Sequence, residues 1–205
     1  MSPTAFSLIL AGAAVSIVLS APLTAAAGPV VRRIEKRFAA RAPVVIANIE
    51  HDPDRRTVVI CGYGRIGGLI GRALERRGFR YVVIEEDGRI TQTLRERGIA
   101  VIRGIADNPV VLEQARLDRA AVLAVAVPDP IAARTIVELA RRMHPRLPIV
   151  ARAHSVAERT ILRALGANEV VVGETELALE MTRFTVRRLG VSATEAQALV
   201  QGLRR

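Results

Sequence analysis

Three glycines in a short run carry the first chemistry this chain offers. Gly62, Gly64 and Gly67 stand in T-V-V-I-C-G-Y-G-R-I-G (57–67), directly after the β-branched Val58, Val59 and Ile60. In a strand–turn–helix unit each answers a separate need. The first admits a tight turn, the second lets backbone approach a pyrophosphate, and the third lets the helix lie close on the strand. A phosphate would then sit at a helix N-terminus, where unpaired N–H groups and the helix dipole favour an anion. A carboxylate follows at a fitting distance: Glu85 closes the run Tyr81 to Ile84, 23 residues beyond Gly62 (85 − 62). An interval of about 20 residues brings such a group to an adenosine ribose. The other reading of the same residues is a fold that kept the turn and lost the ligand.

The elements that must position these groups can be read around them. Ile66, Leu69, Ile70, Ala73 and Leu74 recur at helical spacing, and Gly78 closes the helix. Strands are predicted at 57–61, 80–84, 99–102, 121–127, 148–152 and 169–172, alternating with helices. That order predicts an α/β, Rossmann-like, doubly wound parallel sheet with helices on both faces. Asp129-Pro130 reads as an N-cap and first turn, while Ser155 with Glu158 and Ser192 with Glu195 have capping-box spacing. Two helices, about 174–189 and 192–203, follow the last strand. Leu177, Met181, Phe184, Val186 and Leu189 give the first an apolar face that either completes the core or crosses to a second subunit.

The start of the chain is of a different kind. Met1 to Val31 holds no charged residue, although 24% of the 205 residues are charged and the net charge is +10. Pro3 to Ala21 is 19 residues, which as a helix reach roughly 29 Å at about 1.5 Å each, enough to span a bilayer core. Arg32, Arg33, Lys36 and Arg37 follow, which places the later residues in the cytoplasm by the positive-inside rule. A signal peptide is the alternative, with Leu8 to Leu19 as its apolar stretch, but the basic start of such peptides is missing. The expected organisation is a transmembrane helix at 1–31, a basic linker at 32–56, the sheet domain at 57–190 and a C-terminal helix at 191–205.

Composition removes several functions. The positive charge is arginine, apart from Lys36, and is spread along most helices; two tyrosines, four phenylalanines and no tryptophan give unpaired bases little to stack on. Nucleic acid is therefore not an expected partner. Cys61 stands alone, so no disulfide forms within the chain, and on a strand it reads as a buried, inert thiol. His51, His144 and His154 lack the spacing of a metal cluster. No metal site and no catalytic residue are expected.

The runs V-V-I-C-G-Y-G-R-I-G, V-V-I-E-E-D and V-I-R-G-I-A-D-N-P-V-V-L, with P-I-V-A-R-A-H and G-A-N-E-V-V-V-G-E-T-E-L-A further on, resemble the TrkA-N domain. This domain, also called RCK or KTN, occurs in potassium channels and at the C-terminus of Kef-type and YbaL-like monovalent cation/proton antiporters. The resemblance covers about Thr57 to Leu189. It implies a cytoplasmic regulatory domain that binds NAD(H) or an adenine nucleotide such as AMP and, as a homodimer, biases a transmembrane cation transport unit. With the apolar start, it implies an inner-membrane protein of one pass.

Carried over by position, Gly62, Tyr63, Gly64, Arg65, Ile66 and Gly67 would cradle phosphate and Glu85 would take the ribose hydroxyls. A 2′-phosphate would face Glu85 and Glu86, which favours NAD or an adenosine nucleotide over NADP. Arg152, in the A-R-A-H stretch with His154, is either a crevice residue or a surface arginine at a strand end. The chain departs from the resemblance at Gly104-Ile105-Ala106, where the family commonly has G-D-A. Asp107 is the nearest carboxylate to the missing one. The ion pathway of such antiporters, a bundle of helices with intramembrane carboxylates, is not in this sequence. An NAD-dependent oxidoreductase is the enzymatic alternative, without a substrate domain or a proton relay to support it; a dimerisation scaffold without ligand is the other.

Overall fold

The computed structural model describes residues 44–45 and 57–204. The membrane helix expected at 1–31 and nearly all of the linker expected at 32–56 lie outside the described residues. Among those described, no helix is long and apolar enough to cross a membrane.

Among the described residues the sheet has seven strands: β1 (Val44–Val45), β2 (Thr57–Cys61), β3 (Arg80–Glu85), β4 (Ala100–Arg103), β5 (Ala120–Val125), β6 (Ile149–Ala153) and β7 (Glu169–Val172). Their order is β1-β4-β3-β2-β5-β6-β7. The six strands from β2 onward are parallel, and the direction of winding reverses between β2 and β5. β1 is antiparallel to β4, pairing Val44 with Arg103 and Val45 with Ile102. It caps an edge that would otherwise expose unpaired backbone. Nothing in the sequence pattern predicts it.

Helices α1 (Arg65–Arg76), α2 (Gly88–Glu96), α3 (Pro109–Gln114), α4 (Pro130–Met143) and α5 (Val156–Ala164) connect the parallel strands. The two-residue period of a strand divides them between the faces. Ile60, Tyr81, Val83 and Val101 point to one face, with Leu94 of α2 and Ile70 and Leu74 of α1. Val59, Cys61, Val82, Ile84 and Ile102 point to the other, against Leu112 of α3, Ile136, Val137 and Ala140 of α4, and Leu162 of α5. Both faces are dry, so the central strands read as continuous apolar runs. Each fully buried Ile, Leu or Val contributes about 1.5–3 kcal/mol.

The predicted caps form. The Asp129 carboxylate accepts the Ile131 N–H at 2.8 Å, and the Ser155 and Ser192 hydroxyls accept from the N–H groups of Glu158 and Glu195 at 3.1 and 3.2 Å. α6 (Gly173–Arg188) and α7 (Ala193–Leu203) pack on each other behind β7 and bury Leu179, Ala196 and Val200. Leu177, Met181, Phe184 and Leu189 stay exposed. Among the described residues, the apolar face of α6 therefore does not complete the core.

Candidate functional site

The turn after β2 is shaped by its glycines. Gly62 has φ +86°, a left-handed conformation that L side chains rarely adopt. Its N–H donates to the Ile84 carbonyl at 2.9 Å, while the Ala126 N–H donates to the Cys61 carbonyl at 2.8 Å, so strands on both sides hold the turn. Gly67 supports it from below. A Cβ at this position would lie 2.0 Å from the Gly62 carbonyl oxygen, which explains why α1 can approach β2 only through glycine. Gly64 is the N-cap of α1, and no atom lies within 4 Å of where its Cβ would be.

That open N-cap distinguishes α1 from most of the other helices, α6 with Val172 at its N-cap being the exception. Helices α2, α3, α4, α5 and α7 begin with an Asp, Asn or Ser whose side chain accepts from the first turn. α1 has no side-chain cap. Its first N–H groups, which cannot bond within the helix, are left for an acceptor from outside.

Opposite them stands Glu85, at the end of β3. Its Oε2 accepts the Tyr63 N–H at 2.6 Å, and its Oε1 accepts from the N–H groups of Glu86 and Asp87 at 2.9 and 3.0 Å. Three backbone donors thus fix one half-buried carboxylate, joining the glycine turn to the β3–α2 turn. Asp87 is committed to capping α2 through Arg89 and Ile90 at 2.7 and 3.3 Å, and these bonds hold its carboxyl below the usual range.

A crevice of about 780 Å³ opens over the C-terminal ends of β2 to β6, at the reversal of strand order. Ligands of α/β sheets bind at this place. Of the residues expected at the site, Gly62, Gly64, Arg65, Ile66, Glu85, Asp107 and Arg152 line it. Arg152 enters from β6, so the structure places it on the crevice. Asp107 enters from the β4–α3 loop; burial first, and the Asp129 carboxylate second, push its carboxyl above the usual range. Gly67 lies beneath the lining. Tyr63 turns its ring away, its N–H being taken by Glu85.

The Tyr63 ring lies parallel to Tyr81, with centroids 6.3 Å apart. The Tyr81 hydroxyl donates to Glu75 at 2.5 Å and lies 3.1 Å from that of Tyr63, which therefore donates to it; Arg97 completes the chain to Glu75 at 2.9 Å. Burial pushes the Tyr81 hydroxyl far up. The ring of Tyr63 occupies the space where Gly71 lacks a side chain. The sequence reading missed this contact, whose signal is a glycine one turn beyond Gly67 on the strand-facing side of α1. Cys61 is fully buried, as expected, and burial pushes its thiol up to about 12. Among the described residues no group of three potential ligands could hold a metal ion.

The TrkA-N domain profile matches residues 58–173. The putative cation/proton antiporter YbaL of Escherichia coli is 35% identical over 184 residues, 85% of this chain and 32% of that protein. The chain thus spans about a third of that relative's length. The crystal structure of the TrkA-N domain of the E. coli inner membrane protein YbaL is 37% identical, with a TM-score of 0.60 over 62% of this chain and 94% of that one. The Shewanella denitrificans Kef C-terminal domain, solved in an AMP-bound form, is 28% identical, with a TM-score of 0.63 over 73% of this chain and 90% of that one. With the glycine turn, the fixed Glu85 and the crevice at the strand reversal, this chain belongs to the TrkA-N domain family.

Proposed function

We propose that the crevice binds an adenosine nucleotide, NAD(H) or AMP, and that the domain acts in the cytoplasm as a regulator of monovalent cation transport. The observation that carries this is the uncapped N-terminus of α1 facing a carboxylate pinned by three backbone N–H groups. One end offers free donors to phosphate; the other offers fixed acceptors to a ribose diol. The volume suits a small-molecule ligand, for which pockets of about 300–1,000 Å³ are usual. In this reading Gly62, Gly64, Arg65 and Ile66 surround the phosphate, Gly67 supports the turn, and Tyr63 positions it. Asp107 and Arg152 meet the ligand further along. The AMP-bound state of the Kef domain supports the ligand class.

We assign the site a regulatory role, in keeping with membership of the TrkA-N family. A nucleotide regulates only if its affinity differs between two states of the assembly. We assign the exposed apolar face of α6 to a second copy of the chain, and Pro3 to Ala21 to a single membrane pass beside a transport unit.

The test is a thermal shift of the compact unit Pro43–Arg205, which retains β1, against NAD, NADH, NADP, AMP and ATP. A ligand that binds only the folded state stabilises it by about 2.7 kcal/mol at a hundredfold excess over its dissociation constant. A shift with AMP or NAD(H), lost in Gly64→Asp, is the expected result. No shift with any of the five would leave the domain a scaffold without ligand.

A further inference from the structure

The end of the crevice away from α1 has a composition of its own. Phosphate over the β2–α1 turn and ribose at Glu85 follow the sheet order from β2 to β3, and the next strand outward is β4. A base would therefore lie over the Gly104-Ile105-Ala106 turn, in the part of the crevice that Ile90 of α2 also lines. These walls are apolar. Ile105 is 53% exposed, and Ile66, on the α1 side of the same crevice, is 39% exposed. A flat aromatic ring in the slot would remove such side chains from water. Two of the carboxylates nearby are committed. Asp87 caps α2 and Glu85 is held by three N–H groups, while Asp107, two residues beyond Ile105, faces the like charge of Asp129 from the β5–α4 loop. Glu86 is exposed at the rim.

We infer that the slot holds its purine by packing against Ile105 and Ile90 without reading the 6-position, so that the site takes inosine monophosphate as well as adenosine monophosphate. This rests on the nucleotide reading given above. The two ligands share phosphate, ribose and ring shape. They differ at the 6-position, an amino donor in adenine and a carbonyl acceptor in hypoxanthine, and at N1, which gains a hydrogen in hypoxanthine. Sites discriminate strongly between such groups only where a buried partner is left unpaired by the wrong one. An isoleucine leaves none.

Titration calorimetry of the full chain in detergent with AMP and with IMP tests this. The two dissociation constants are expected to agree within about threefold. Ile105→Asp places an acceptor beside the 6-position and is expected to favour AMP by about tenfold or more, with Ile105→Asn as a neutral second variant. AMP binding tenfold tighter than IMP in the unchanged chain overturns the inference while leaving the nucleotide site in place. A ratio unmoved in both variants overturns the placement of Ile105 beside the base. Binding of neither ligand overturns the inference; only if NAD(H) also fails to bind does the nucleotide reading fall with it.

Discussion

Gly67→Ala tests the contact on which the crevice is built. The added methyl would sit 2.0 Å from the Gly62 carbonyl oxygen and 3.0 Å from its carbon. Side-chain carbons essentially never approach within 3.0 Å of another heavy atom, so α1 or the turn must move by at least 1.0 Å (3.0 − 2.0). The turn is a poor candidate to yield, being tied to β3 through Gly62 and to the end of β5 through Cys61. Overpacking costs about 1–3 kcal/mol where side chains can adjust, and this backbone contact belongs at the upper end. Alanine returns about 1 kcal/mol through its better helix propensity. The net cost is then about 2 kcal/mol, or a melting temperature lower by about 4–8 °C. Gly64→Ala is the matched control: nothing lies within 4 Å of its Cβ, so stability should stay within about 0.5 kcal/mol. Its methyl instead enters the space assigned to phosphate, and nucleotide affinity should fall. Thermal and urea unfolding followed by circular dichroism, with and without AMP, separates the two effects. A Gly67→Ala protein that melts with the wild type would refute the close approach of α1. A Gly64→Ala protein with undiminished affinity would refute the position of the phosphate.

Glu85→Gln replaces one of two accepting oxygens with a donor and forfeits bonds from Tyr63 or from Glu86 and Asp87; unfolding should show a loss of about 2 kcal/mol, and calorimetry a loss of AMP binding. Asp107 carries a carboxyl raised by burial and by Asp129. The folded state therefore holds its proton more tightly than the unfolded chain, and stability from this group declines as pH rises from the ordinary carboxylate pKa through the raised one. Asp107→Asn should remove that acid-side gain and stabilise the domain at neutral pH, as melting curves across the range would show. Phe184→Glu places a charge on the exposed face of α6 and should convert a dimer to a monomer in light scattering without lowering the melting temperature of the monomer unit.

Much of this fold is legible in the sequence because both faces of the parallel sheet are buried, which leaves unbroken β-branched runs. β2 and β7 fall at the predicted 57–61 and 169–172. The predicted 121–127 overshoots β5, which ends at Val125, because apolar Ala126 and Val127 leave the sheet to line the crevice. Hydropathy does not distinguish the two uses. β1 is too short to have a period and exists only through its pairing with β4. At the site, the glycine spacing and Glu85 are local signals and could be read directly. The orientation of Tyr63 could not, since it depends on Tyr81, 18 residues away, and on the missing side chain of Gly71.

That aromatic pair has a use beyond its packing. Tyr63 and Tyr81 are the only tyrosines of the chain, and it has no tryptophan. All tyrosine absorption and emission therefore originates beneath the glycine turn after β2, where a carboxylate that accepts the Tyr81 hydroxyl hydrogen bond is a ready quencher. The domain carries its own optical gauge of the turn, and a nucleotide that tightens or shifts the turn can be followed by intrinsic fluorescence without a label.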